Sequence, residues 1–152
     1  MVEPSEQLQL VFDKAVDVSK KLQHEYVTIE HLLFAMLCED SFSKIIQGYG
    51  ADPDFLKKNI ENYLKTQTEK IQLEPAQAKK YKPKKTHAVE RVLNRAFTQV
   101  LFSGRSQIDC SDVFLSIMNE KKSWSYYHIA KCNIDKEKFA DYLNNELADN
   151  YE

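Results

Sequence analysis

Residues 27–37 read VTIEHLLFAML and predict a short, buried helix with a sharply defined start. Thr28 is suited to cap this helix, because its hydroxyl can accept a hydrogen bond from a backbone N–H that the first turn leaves free. Val27 precedes the cap and can pack against Leu32 as a hydrophobic staple. Glu30 brings negative charge to the first turn, where the helix dipole favours it. The apolar residues that follow share one face: Leu32, Leu33, Met36 and Leu37.

The same pattern occurs a second time, 81 residues further along the chain. Ile108 replaces the staple residue Val27, and Asp109 replaces the cap Thr28. The apolar face recurs as Val113, Phe114, Ile117 and Met118. The preceding helix obeys the same offset, so that Leu8, Val11, Phe12, Ala15 and Val16 correspond to Val89, Val92, Leu93, Ala96 and Phe97. Two runs that match at one offset indicate a tandem duplication.

Each copy is predicted to contain four helices. The first three helices of repeat one cover residues 5–22, 28–38 and 41–48. A fourth starts at Asp52-Pro53, because Asp is a good cap and Pro suits the first helical position. The first two helices of repeat two cover residues 86–103 and 109–119. The first of these carries a long apolar stripe: Val89, Val92, Leu93, Ala96, Phe97, Val100 and Leu101.

Two extra residues shift the offset to 83 by the last helix, where Ile134, Asp135 and Phe139 match Ala51, Asp52 and Leu56. The seventh contains Trp124, and the inward face of the eighth is predicted to carry Phe139, Leu143 and Leu147. The sequence therefore predicts an all-α fold, in which two four-helix repeats are related by an approximate two-fold axis. We expect a single domain over residues 1–152, with repeats at about 5–65 and 86–147 and a polar linker at about 66–85.

Composition excludes several classes of protein. The 152 residues carry a formal net charge of −2, which by itself indicates neither a nucleic-acid nor a membrane partner. No run of 18 apolar residues occurs, so no transmembrane helix is expected. The N-terminus, MVEPSEQ, is unlike a signal peptide. The three scattered cysteines, Cys38, Cys110 and Cys132, are best explained as small core thiols in a cytoplasmic protein.

Catalytic and metal-binding motifs are weak or absent in this sequence. A P-loop needs two glycines five residues apart, and Gly48, Gly50 and Gly104 do not provide that spacing. No nucleophile elbow is recognisable either. The group His24, Glu25, Glu30 and His31 suggests zinc, but its spacing is not HExxH and the cap at Thr28 separates the two histidines. We therefore expect no enzyme activity, no metal site and no cofactor.

A basic run and a set of aromatic residues each have two interpretations. The run contains Lys79, Lys80, Lys82, Lys84 and Lys85. It can contact phosphates, with Tyr81 stacking on a base, or it can be a solvated linker, which we favour. The aromatic residues of the third helices are expected to be mostly core: Phe42, Tyr49, Trp124, Tyr126 and Tyr127. An exposed subset would form a patch for unfolded substrates.

Three stretches resemble the N-terminal domain of the ClpA-type Hsp100 unfoldases. They are HEYVTIEHLLFAML, VERVLNRAF from Val89 to Phe97, and Ser103-Gly104-Arg105. The similarity extends over about residues 5–147. His24-Glu25 followed by the aromatic Tyr26 makes the sequence more similar to ClpA than to ClpC. The resemblance implies the double four-helix repeat that the duplication predicts.

The resemblance also implies a function. In this family the domain is a mobile module in front of ATP-driven rings, where it receives protein substrates and adaptors such as ClpS. The adaptor-binding positions that it implies here are Glu25, Thr86 and Arg91. If the chain is free-standing, it is expected to act with a Clp ATPase ring or as a decoy that competes for the adaptor. The isolated domain is expected to be a monomer, without a membrane partner and without nucleic acid.

A second use of the fold is disfavoured. Some ClpC-type relatives hold phosphorylated arginine with an acidic residue in each repeat. The first of these positions is Glu30, but its counterpart in the second repeat is Ser111, so one carboxylate is missing. We therefore do not expect this activity. A metal-dependent hydrolase is the most remote alternative.

Overall fold

The computed structural model of the chain describes residues 2–66 and 81–150. In these residues the backbone forms eight helices and four two-residue strands. The helices of the first half are α1 (Glu6–Lys21), α2 (Ile29–Leu37), α3 (Asp40–Tyr49) and α4 (Pro53–Thr66). Those of the second half are α5 (His87–Phe102), α6 (Cys110–Ile117), α7 (Trp124–Lys131) and α8 (Lys136–Asn150). The strands are β1 (Glu3–Pro4), β2 (Tyr26–Val27), β3 (Lys84–Lys85) and β4 (Gln107–Ile108).

The two halves repeat the same order of elements. Adding 81 to the bounds of β1, α1 and β2 gives the bounds of β3, α5 and β4. Adding 83 to the bounds of α3 and α4 reproduces those of α7 and α8 to within one residue. The predicted all-α double repeat is therefore confirmed. The predicted linker lies mostly outside the described residues, except that its end forms β3.

Helix starts follow the predicted capping chemistry. The Thr28 hydroxyl accepts from the His31 backbone N–H, and the His31 ring accepts from the Thr28 backbone N–H in return. This is a capping box in which histidine takes the position that Glu or Gln usually occupies. The Ser5 and Thr86 hydroxyls, which are equivalent in the two repeats, accept from Leu8 and Val89.

Helix ends also repeat, in their backbone conformation. Gln23 has a φ of 60° and its equivalent Gly104 has 76°, while Gly50 has 110° and its equivalent Asn133 has 60°. These are the four positive-φ residues of the described chain, and each lies just past the end of a helix. A left-handed residue at this point lets the last turn satisfy its free carbonyls, and glycine adopts it without steric cost.

The short strands were not predicted, and they connect the two repeats. β1 pairs in parallel with β4, and β2 pairs in parallel with β3. The first strand of each repeat therefore pairs with the second strand of the other. Both pairs consist of connector residues that precede a helix cap, so the hydrogen bonds between strands tie the start of α1 to that of α6 and the start of α2 to that of α5.

Aromatic rings join the repeats in the core. The ring centroid of Phe114 lies 5.3 Å from that of Phe42 and 5.1 Å from that of Phe139, and all three residues are fully buried. Tyr49 continues the cluster at 5.3 Å from Phe139. Contacts at these distances stabilise a core beyond simple area burial.

The predicted apolar stripe of α5 is wider than the face that the fold buries. Val89, Val92, Ala96 and Val100 are buried, but Phe97 is 41% and Leu101 53% exposed. These two residues of the stripe lie outside the buried face, because α5 packs mainly on α6 and only one narrow side of the helix is covered. Leu143 is half-buried. The side chain of Leu147 lies outside the described part.

Candidate functional site

Glu25 lies in the connector between α1 and α2. The connector leaves α1 through the left-handed residue Gln23, and the next residue, His24, is fully buried. Glu25 itself is exposed. Because the neighbouring His24 and Val27 anchor the connector in the protein, the Glu25 carboxylate is displayed from a fixed piece of backbone.

The β2–β3 strand pair brings Thr86 to the same region. The Lys84 backbone N–H donates to the Glu25 carbonyl at 3.1 Å, and the Thr86 N–H donates to the Val27 carbonyl at 3.2 Å. Thr86 then caps α5, since its hydroxyl accepts from the Val89 N–H at 3.2 Å. Two of the three predicted site residues are therefore held together by main-chain hydrogen bonds between the repeats.

Arg91 lies little more than one turn into α5, and its side chain is bonded to Glu120. Its side chain is 58% exposed, and its Nη2 donates to Glu120 Oε1 at 2.7 Å. This hydrogen bond raises the pKa of the Arg91 guanidinium and lowers that of the Glu120 carboxyl. Its polar contact in the structure is thus Glu120, rather than Glu25 or Thr86.

Two buried histidines, His24 and His31, lie at the inner side of the connector. His24 Nδ1 and His31 Nε2 lie 2.7 Å apart, and both rings have no exposed surface. Burial, and secondarily the charge of His24, lower the pKa of His31 to about 3. His31 is therefore neutral at physiological pH, and the two rings form a hydrogen-bonded element of the core.

Tyr81 and the basic run adjoin the same connector. The Tyr81 hydroxyl donates to the His24 carbonyl at 2.8 Å, and burial raises the pKa of this phenol. Lys84 and Lys85 form β3 and are exposed, whereas Lys79 and Lys80 lie outside the described residues. The preference for a solvated linker over nucleic-acid binding by this run stays a prediction, which a titration with a random DNA oligonucleotide at physiological salt tests.

Glu30 has a structural role that the sequence did not reveal. It is 7% exposed and accepts from both the backbone N–H and the hydroxyl of Ser125, at 3.0 and 2.6 Å. A carboxylate of repeat one therefore caps the start of α7 in repeat two. A bound phosphoarginine would have to displace these bonds, which gives a physical reason for disfavouring that activity.

The candidate metal and thiol groups do not assemble into a reactive centre in the described chain. Across residues 2–66 and 81–150, no three His, Cys, Asp or Glu side chains are grouped so that they could hold a metal ion. Cys38, Cys110 and Cys132 are free thiols, and burial raises the pKa of Cys110 to about 12. Among the described helices none is both long and apolar enough to cross a bilayer.

An aromatic surface lies where α4 meets α7. Trp124 and Tyr127 are exposed, and the Trp124 ring centroid lies 5.6 Å from that of Tyr63. The rings of Tyr63 and Trp124 line an open groove of about 330 Å³, together with Asn59, Asn62, Thr66 and His128. Of the five aromatic residues that were expected to be mostly core, Phe42 is buried and Tyr49 and Tyr126 pack against the core. Trp124 and Tyr127 are exposed, as the alternative interpretation allowed.

The double all-α repeat is the architecture of Clp N-terminal domains. The sequence profile of the Clp repeat (R) N-terminal domain matches residues 3–128, and the chain belongs to this family. The resemblance noted from the sequence is thereby confirmed.

Individual relatives agree with this family. A ClpA homolog protein from Fuscovulum blasticum is 23% identical over 144 residues, which are 95% of this chain and 18% of the relative. The chain thus spans about a fifth of the length of that protein. A structure from a malarial protein secretion system superposes with a TM-score of 0.80 at 14% identity, covering 94% of this chain and 93% of that one. The Hsp104 N-terminal domain from Candida albicans gives 0.75 at 8% identity, covering 92% and 88%. These identities establish a shared fold alone.

Proposed function

We propose that this chain is a cytoplasmic protein-docking module that receives a ClpS-type adaptor, and with it protein substrates, for an ATP-dependent Clp unfoldase. The observation that carries the proposal is the β2–β3 strand pair, through which the connector bearing Glu25 is hydrogen-bonded to the segment that ends at Thr86. Membership of the Clp N-terminal repeat family supports it, because such domains generally bind substrates or adaptors of Clp ATPases.

The chemistry of the proposed docking face favours recognition by charge. The docking face consists of Glu25, Thr86 and Arg91, with an exposed carboxylate from repeat one and an exposed guanidinium from repeat two. Opposite charges on a fixed frame fix the orientation of a partner and raise its association rate more than its intrinsic affinity. A partner with a basic group for Glu25 and an acidic group for Arg91 fits this arrangement.

The proposed contribution of the domain is tethering rather than chemistry. Holding cargo next to the entrance of an unfoldase ring raises its local concentration, which converts a bimolecular encounter into an intramolecular one. If the chain acts free-standing, the same docking face would instead occupy the adaptor and block delivery. The two cases change the degradation rate of an adaptor-dependent substrate in opposite directions. A docking module that is part of the unfoldase speeds degradation, whereas a free-standing decoy slows it.

Mapping the contact surface tests the proposal. In an NMR titration of the isotopically labelled chain with a purified ClpS-type adaptor, the amides of Glu25, Lys84 and Thr86 are expected to shift together. The equivalent amides of the β1–β4 pair serve as an internal control, because that pair has the same backbone hydrogen bonds. These are the amides of Ser106, Glu3 and Ser5. Shifts confined to that other pair, or no shifts at all, would contradict the proposed docking face.

A further inference from the structure

Glu120 links Arg91 to the protein core. It lies in the turn between α6 and α7, and its side chain is only 12% exposed. Its two carboxylate oxygens accept from different arginines of α5: Oε1 from Arg91 at 2.7 Å and Oε2 from Arg95 at 2.9 Å. The two arginines are one helical turn apart, so a single carboxylate can join both.

Further hydrogen bonds fix both Arg95, which contacts the Glu120 carboxylate, and the backbone of Glu120. Arg95 also donates from Nη1 to the Ser116 carbonyl at 2.9 Å, and the buried Ser116 hydroxyl donates to the Val92 carbonyl at 2.8 Å. The backbone of Glu120 is fixed as well, because its N–H donates to the Ile117 carbonyl and its carbonyl accepts from the Ser123 hydroxyl. A continuous chain of hydrogen bonds therefore connects the buried Ser116 with the exposed Arg91, through Arg95 and Glu120.

We propose that Glu120 is a positioning residue of the docking face, which holds the guanidinium of Arg91 ready for an acidic group of the partner. The inference rests on the proposed function. A guanidinium carries five N–H donors, and the recorded bond to Glu120 uses one edge of it. The other edge stays available in a fixed direction, so the partner does not have to order a long side chain when it binds.

The test is a double-mutant cycle on the affinity for a purified ClpS-type adaptor, with the variants Glu120→Gln and Arg91→Ala. Glu120→Gln is expected to weaken binding about two- to tenfold, the range that ordering one rotamer-rich side chain at an interface spans. In the Arg91→Ala background the same change is expected to have no further effect, because there is no guanidinium left to orient. Arg105→Ala removes a comparable exposed ion pair, with Asp112, and serves as the matched control.

Side-chain NMR adds a readout that does not involve the adaptor. The Nε–Hε signal of Arg91 is expected to show increased mobility in Glu120→Gln, while that of Arg105 is unchanged. If Glu120→Gln leaves both the affinity and the mobility of Arg91 as in the wild type, or if its effect persists in full without Arg91, the inference is wrong although docking stands. If the wild-type chain does not bind the adaptor at all, the proposed function fails, and the docking role of Glu120 fails with it.

Discussion

His31 Nε2 lies 2.7 Å from His24 Nδ1, and neither of these two imidazole rings has any exposed surface. The other nitrogen of His31, Nδ1, accepts from the Thr28 backbone N–H at 2.9 Å, so it carries no proton. The proton of His31 is therefore on Nε2 and is donated to His24. Because Thr28 starts α2 and His24 precedes Glu25, this bond ties a helix start to the connector of the docking face.

We expect acid to destabilise the fold through His31. Its pKa is lowered to about 3 in the folded chain, by burial first and by His24 second, whereas in the unfolded chain it is near 6.5. Between these values the unfolded chain binds a proton that the folded chain does not. The free energy of unfolding therefore rises with pH across this window, by up to about 1.4 kcal/mol per pH unit, and levels off above about pH 6.5.

Urea melts of the wild type and His31→Gln between about pH 4.5 and 7 measure this effect. Gln preserves an acceptor for the capping box but does not titrate, so the slope of stability against pH should be smaller in the variant. Burial also lowers the pKa of His128 in the same direction, and the difference between the two proteins removes that contribution. His87→Gln is the control, since that side chain is 97% exposed. Equal slopes in wild type and His31→Gln would show that the buried pair does not control acid stability.

Replacing Gln23 by glycine is expected to stabilise the protein by up to about 1 kcal/mol. Gln23 has a φ of 60°, which a side chain with a Cβ adopts at a cost of about 1 kcal/mol or more, and its repeat equivalent is already Gly104. Asn133→Gly should gain less, because Asn tolerates this conformation better. Denaturant melts that show a loss of stability for Gln23→Gly would contradict the left-handed assignment.

Gly48 approaches α8 closely. A Cβ at this position would clash with the hydroxyl of Tyr142, which packs against Tyr49 with ring centroids 5.9 Å apart. Gly48→Ala should therefore fail to bring the gain of about 1 kcal/mol that Ala normally gives inside a helix, because the half-buried Tyr142 side chain has to shift. In Tyr142→Phe, which lacks the hydroxyl, the same change should bring clearly more of that gain, and additive effects in denaturant melts would rule out the clash.

Local chemistry made most of the fold predictable from the sequence. Caps such as Thr28, the staple at Val27 and the apolar spacing of α2 depend on residues within one or two turns, and the duplication at one offset gave the architecture. The strands were missed because Tyr26–Val27 and Lys84–Lys85 carry no alternation that separates a two-residue strand from a connector. Their pairing depends on how the repeats meet.

The site was predictable only in part, for a related reason. Resemblance supplied Glu25, Thr86 and Arg91, which stay a prediction; the structure adds that main-chain hydrogen bonds join the segments that carry the first two. Glu120 lies 29 residues from its partner Arg91, and Ser125 lies 95 residues from Glu30. Contacts over such separations leave no local pattern. The exposure of Phe97 was not predictable either, because an apolar stripe does not reveal which part of it a neighbouring helix covers.

The most direct test of docking through Glu25 is a calorimetric titration of the chain with a purified ClpS-type adaptor. We expect the wild type to bind with a micromolar or tighter Kd, about −8 kcal/mol or more favourable. Glu25→Lys should abolish or strongly weaken binding, because the exposed carboxylate is replaced by the opposite charge. Glu146→Lys makes the same charge change at an exposed position of α8 and should bind as the wild type does. Unchanged affinity in Glu25→Lys, or equal losses in both variants, would contradict the assignment of the docking face.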